Sequence, residues 1–108
     1  MADKPHPRLE SAGAGKILKE SACGFDSIEI SGHALEQMEI RSISEADVLQ
    51  TLRQPDRTDL PTETGRKRYR RNKTARTAID VVWEETAGRL GVVTAIKIER
   101  RIIERGRR

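Results

Sequence analysis

The chain of 108 residues fits one small domain, since domains mostly run to about 100–150 residues, and its 35% hydrophobic and 35% charged residues support a modest core. The net charge of +4 divides unevenly: residues 1–54 carry 6 basic and 9 acidic side chains and residues 55–108 carry 15 and 8, so a polyanion is the first partner to test. One cysteine, Cys23, excludes an internal disulfide and a four-cysteine zinc site, and short apolar runs exclude a span of about 20 residues, so a cytoplasmic protein with no membrane partner is expected.

Residues 1–15 hold Pro5, Pro7, Gly13 and Gly15 and show no apolar period, which predicts a loose tail before a single α+β domain over 16–99. Within 16–23, Ile17, Leu18 and Ala22 suggest one side of a short helix ended by Gly24. Residues 27–30 alternate as a strand and lead to Ser31, a helix cap, with Ile30 and Leu35 at the spacing of a hydrophobic staple. The same grammar recurs at Ser44, with Ile43 and Val48 as the staple and Asp47 three residues after the cap. Helices are therefore predicted over 32–40 and 45–53, with core stripes Ala34, Leu35, Met38 and Val48, Leu49, Leu52.

Pro55 stops the second helix, residues 56–64 read as a connection with room for one edge-strand segment, and Gly65 marks a turn. Strands follow over 66–73, 77–84 and 90–98, the last two joined by a hairpin turn over 85–89. In the second of these, Ile79, Val81 and Trp83 share a face; in the third, Leu90, Val92, Thr94, Ile96 and Ile98 are expected to do so. Helices followed by strands predict two short helices packed on a three- to four-stranded antiparallel sheet. A basic tail over 100–108 completes the chain, its Ile102 and Ile103 either lengthening the last strand or docking a short helix.

Residues 66–76 carry seven basic side chains (Arg66, Lys67, Arg68, Arg70, Arg71, Lys73 and Arg76) and no acidic one. On a strand Arg66, Arg68 and Arg70 project to one side and Lys67, Tyr69 and Arg71 to the other, giving candidate phosphate contacts, with Tyr69 a stacking platform if exposed. The plainer reading is a solvated edge strand whose charges prevent aggregation. His33 stands at the start of the first helix, where a neutral imidazole can take a proton from a ribose 2′-hydroxyl while an arginine stabilises the developing charge. His33, Gln37 and Arg41 fall on one helix side, so Arg41 is a candidate phosphate clamp; a histidine beside a cap is equally often an ordinary hydrogen-bonded residue. Two histidines and one cysteine give no metal-ligand spacing and no glycine-rich phosphate loop is present, so neither metal nor cofactor is expected.

The run His33-Ala34-Leu35-Glu36-Gln37-Met38-Glu39-Ile40-Arg41-Ser42-Ile43-Ser44, continued by Glu45-Ala46-Asp47-Val48-Leu49 and by Val92-Val93-Thr94, resembles a family of small bacterial domains known as domain of unknown function 4258. The likeness covers about residues 28–98. Gln37 stands where that family usually has arginine, and Ser42 where it usually has glycine. The helix-helix-sheet order is also similar to small metal-independent ribonuclease toxins of the RelE, ParE and colicin types. That resemblance implies an RNA-cleaving domain with His33 as general acid or base and Thr94 assisting by a hydrogen bond, to which the residue positions add Arg41 and Arg68 or Arg70 on phosphate. RNA is the expected partner, and a further reading sets the cationic surface against an acidic partner protein such as an antitoxin or an inhibitor target. The alternative is a non-catalytic module that binds nucleic acid or protein through the basic strand.

Overall fold

The computed structural model describes residues 15–100. The elements run β1 (Lys16–Leu18), β2 (Ile28–Ile30), α1 (Gly32–Arg41), α2 (Glu45–Arg53), β3 (Lys67–Asn72), β4 (Thr77–Thr86) and β5 (Arg89–Glu99). Apart from Gly15 and Arg100, the two tails read from the sequence lie outside the described residues.

Both helices form where the caps place them. The Ser31 hydroxyl accepts from the amide of Ala34 at 3.0 Å. At α2 the reciprocal box is complete: Ser44 Oγ accepts from the Asp47 amide at 3.0 Å, and Asp47 Oδ2 accepts from the Ser44 amide at 3.1 Å. α1 ends at Ser42, whose φ of 57° and ψ of 47° lie in the left-handed region. Ser42 and Ile43 donate their amides to Glu39 and Met38, closing the helix by the geometry that favours glycine at this position. The glycine usual in the resembled family thus has a conformational cause here.

The sheet has five strands in the order β1-β2-β5-β4-β3 and is mixed, which corrects the expected three to four antiparallel strands. β2 and β5 pair in parallel, and every other pair is antiparallel. Two helices and a hairpin separate β2 from β5, and that long return lets two strands of like direction lie together. The extra edge strand comes from the segment read as a helix: residues 16–18 pair with β2, and residues 22–25 close a tight turn. Cys23 and Gly24 have φ of 54° and 87° there, a backbone no right-handed helix can carry.

The core lies between the helices and one sheet face. Ile28 and Ile30 from β2, Ile79, Val81 and Trp83 from β4, and Leu90, Val92 and Ala95 from β5 meet Ala34 and Met38 of α1 and Val48 and Leu52 of α2. β5 changes faces within its length. Val82 pairs with Thr94 but the next residue, Trp83, pairs with Val92, so Val93 is a bulge. Leu90 and Val92 therefore face the helices, whereas the pairing puts Thr94, Ile96 and Ile98 with Val82, Asp80 and Ala78 on the open face. This corrects the single face expected for all five.

Past the end of β2, the edge of β5 is closed by the two ends of α1. Ser31 Oγ donates to the Val93 carbonyl at 3.3 Å, and Arg41 Nη1 donates to the Ala95 carbonyl at 2.8 Å. The β4–β5 hairpin turns through Ala87 and Gly88, with φ of 52° and 79°. Alanine tolerates that conformation poorly and asparagine well. Ala87→Asn is expected to stabilise the fold by about 0.5–1 kcal/mol, seen as a rise of a few degrees in Tm; a fall in Tm would contradict this assignment.

A candidate active site on the open sheet face

A groove of about 350 Å³ crosses three strands on the face away from the helices. Its floor belongs to β5. Gly91 lies opposite Glu29 of β2 on one side and Glu84 of β4 on the other, so the row reads glutamate, glycine, glutamate. Two strand spacings put the glutamate Cα atoms about 10 Å apart. Gly91 keeps the floor low, since a methyl there would lie 2.7 Å from Cγ2 of Thr86. Val93, and Val92 with its side chain turned to the core, continue that strand along the groove.

One wall is the end of β2 and the start of α1, presenting Glu29, Ser31 and His33; the other presents Glu84, Thr86 and Arg66. His33 is exposed, one residue into α1 after the Ser31 cap. Each carboxylate is held by an arginine: Arg89 Nη1 lies 3.3 Å from Glu29 Oε1, and Arg66 Nε lies 3.3 Å from Glu84 Oε1 while its Nη1 reaches Glu63 at 2.8 Å. The groove therefore gathers a proton-transfer set, one imidazole and two carboxylates, with a guanidinium beside them.

Of the basic run's candidate phosphate contacts, Arg66 lines the groove; Arg41, Arg68 and Arg70, the arginines expected to act with His33, do not. Arg41 lies eight residues along α1, about 12 Å by helical rise, with its guanidinium on the Ala95 carbonyl. Thr94 follows the groove residue Val93 and stands on the open face opposite Val82.

The remaining residues of the basic run are largely held in place by carboxylates. Asp80 is fully buried in β4 and accepts from Arg68 Nε at 2.6 Å, Arg70 Nε at 2.6 Å and Arg70 Nη2 at 2.9 Å. Those bonds to Asp80, against the opposing effect of burial, hold the Arg70 guanidinium proton even more firmly than usual. On the helix side Arg71 and Lys73 both reach Asp47, at 3.2 and 3.1 Å. Lys67 stands 5.9 Å over the Trp83 ring. Tyr69 packs at right angles to Trp83 with centroids 5.5 Å apart, and burial, with nearby Cys23, pushes its hydroxyl pKa up. Arg76 is exposed and makes no ion pair among the described residues. The chain's third aromatic, Phe25, meets Trp83 edge-on at 6.0 Å, so all three aromatics serve one cluster.

Glu29, Glu84, Gly91 and Asp80 escape a reading by local motifs. Each nevertheless leaves a trace: Glu29 lies between two isoleucines that must point the other way, Asp80 is a carboxylate inside an apolar strand, and Gly91 interrupts a strand.

Among the described residues no three His, Cys, Asp or Glu side chains are grouped to hold a metal ion, and no helix is long and apolar enough to cross a membrane.

Asp47 supplies a measurable consequence of this charge pairing. Burial pushes its carboxyl up, but the Ser44 amide and hydroxyl and the Lys73 ammonium outweigh that and hold its pKa below the ordinary value. The stability it contributes is therefore full above about pH 4, the unfolded aspartate range, and is lost as pH falls through the lower folded value. Asp47→Asn is expected to cost about 2 kcal/mol at neutral pH and to flatten the acid limb of a Tm-against-pH curve; an unchanged acid limb would contradict this.

The family model described as Domain of unknown function (DUF4258) matches residues 30–103. No curated protein and no solved structure matches the chain. The matched segment begins on the last residue of β2 and takes in both helices and strands β3 to β5, so it contains the groove except for Glu29. With most of its length covered in this way, the chain belongs to the DUF4258 family.

Proposed function

We propose that this protein is a small metal-independent endoribonuclease of the toxin type, cleaving RNA through the 2′-hydroxyl of its own ribose. One observation carries the reading: His33, Glu29, Glu84 and Arg66, drawn from separate segments, line a single groove. Cleavage of this kind needs a base for the 2′-hydroxyl, an acid for the departing 5′ oxygen and positive charge for the phosphorane between them. In-line displacement requires the base and acid on opposite sides of phosphorus. Glu84 and His33 belong to opposite walls and meet that requirement, whereas Glu29 shares a wall with His33.

Glu84 takes the 2′-hydroxyl proton, and the freed oxygen attacks phosphorus. The bond from phosphorus to the 5′ oxygen breaks, and His33 in its imidazolium form protonates that oxygen. The products are a 2′,3′-cyclic phosphate and a 5′-hydroxyl. Arg66 lies beside Glu84 and offers its guanidinium to the phosphorane oxygens. Thr94 assists by a hydrogen bond to the substrate backbone in the adjoining row, and Arg41 contributes by fixing α1, and with it His33, against β5. The class is chosen by analogy with the helix-helix-sheet order that the sequence resembles in RelE, ParE and colicin nuclease types, and the proposal includes a cytoplasmic location and an acidic antitoxin as inhibitor.

The test is cleavage of varied RNAs by the full chain in the presence of a chelator. Cyclic phosphate ends are expected, with the rate falling about 10²–10⁴-fold in His33→Ala and in Glu84→Gln while both variants keep the parent's circular dichroism. Absence of cleavage in the parent would leave the binding module; cleavage undiminished in His33→Ala would remove His33 from the reaction.

A further inference from the structure

We infer that Arg68, Arg70 and Thr94 form a second oxyanion subsite, organised by the buried Asp80 and lying beside the groove, that takes the phosphodiester next to the one cleaved. The role given to that anion rests on the ribonuclease reading; the subsite itself does not.

The charge balance singles out this place on the open face. In the groove Arg66 meets two carboxylates, Glu63 and Glu84. At Asp80 the proportion is reversed, with two guanidiniums sharing one carboxylate and one positive charge left over. Asp47 also gathers two cations, but on the helix side and far from His33's face.

The donors left over are of the right kind. Arg70 uses Nε and Nη2 on Asp80, and Arg68 uses Nε alone. Both amino nitrogens of Arg68 and Nη1 of Arg70 have no acceptor among the described residues. Neither does the hydroxyl of Thr94, which shares a cross-strand row with Arg68 through Val82. Arg68 and Arg70 are 30% and 21% exposed, so their planes are fixed by the sheet while their outer edges meet solvent. A guanidinium held in one orientation matches the paired oxygens of a phosphate better than a free one, because less rotamer entropy is lost on binding.

Position relates this subsite to the groove. Successive residues on one face of a strand repeat at about 6.8 Å, so the row of Arg68 and Thr94 lies one such step from the row of Arg66, Glu84 and Gly91. That step is comparable with the separation of neighbouring phosphates along an extended single strand. Asp80 acts as a positioning residue, touching no substrate and aligning the two arginines that do.

The sign of one substitution tests this. Inorganic phosphate is titrated into the full chain while the side-chain N–H signals of Arg68 and Arg70 and the amide of Thr94 are followed by NMR. Saturable shifts at these groups are expected, and shifts spread evenly over Arg57, Arg76 and Arg100 would overturn the subsite. Asp80→Asn adds a positive charge, so attraction by charge alone tightens phosphate binding, whereas loss of alignment weakens it about tenfold, the result expected here. Tighter or equal binding by folded Asp80→Asn overturns the proposal. Arg68→Lys keeps the charge and leaves the Arg70–Asp80 pair intact; it too is expected to bind phosphate about tenfold more weakly, and unchanged affinity overturns the proposal. A ribonucleotide trimer should bind more tightly than a dimer in the parent and not in Arg68→Lys. A gain that survives Arg68→Lys removes the second phosphodiester from this subsite, while phosphate binding without RNA cleavage refutes the ribonuclease reading alone.

Discussion

A fully buried carboxylate between two arginines governs the open face of this sheet. Asp80 sits in the central part of β4 with no exposed surface, and an unpaired charge in such a place is untenable. Arg68 and Arg70 reach across from β3 to satisfy it, and in doing so they cover that part of the face with their own side chains. Removing the carboxylate would leave two guanidiniums facing one another, a defect of about 3–5 kcal/mol by comparison with other broken buried pairs. The edge strand, its hydrogen-bond register and the orientation of its charges are consequently fixed together.

This constraint changes what the charge of the molecule means. Seven cations in eleven residues look like an open polyanion track, yet Asp80, Asp47, Glu84 and Glu63 hold five of them. Residues 15–100 carry 15 basic and 14 acidic side chains, so the described part is close to neutral. Surplus positive charge is local, and attraction for a phosphate depends on where two arginines share one acid. The groove arises from a second constraint, the parallel pairing of β2 with β5, which aligns Glu29, Gly91 and Glu84 in one row of the groove that His33 also lines. The bulge at Val93 then turns Thr94 onto the same face.

What the sequence discloses follows the range of the interactions concerned. Ser31, Ser44 and Asp47 cap their helices through contacts three residues away, and both helices are legible within a residue of their ends. The alternation of Arg66, Arg68 and Arg70 against Lys67, Tyr69 and Arg71 is equally local. β1 is hidden because three residues carry too little periodicity to separate strand from helix, and its identity depends on β2 being there to pair with it. The face reversal in β5 cannot be read from its own alternation, since a bulge is a property of two strands. His33 and Arg66 are visible as candidates, but their partners Glu29 and Glu84 join them only through strand order. Arg41 shows the converse: helical spacing puts it on the side of His33, and eight residues of rise take it to the backbone of Ala95.

The most direct measurement is the salt dependence of single-stranded RNA binding in the parent and in Arg68→Ala and Arg71→Ala. Removing one cation from a phosphate lowers the slope of log K against log salt by about 0.7. If phosphate is taken on the open face by the surplus Asp80 pair, Arg68→Ala lowers the slope by about that amount, and Arg71→Ala, whose cation pairs with Asp47 on the helix side, leaves it unchanged. Equal reductions in both variants would contradict that picture, because every arginine of the strand would then act as a free cation.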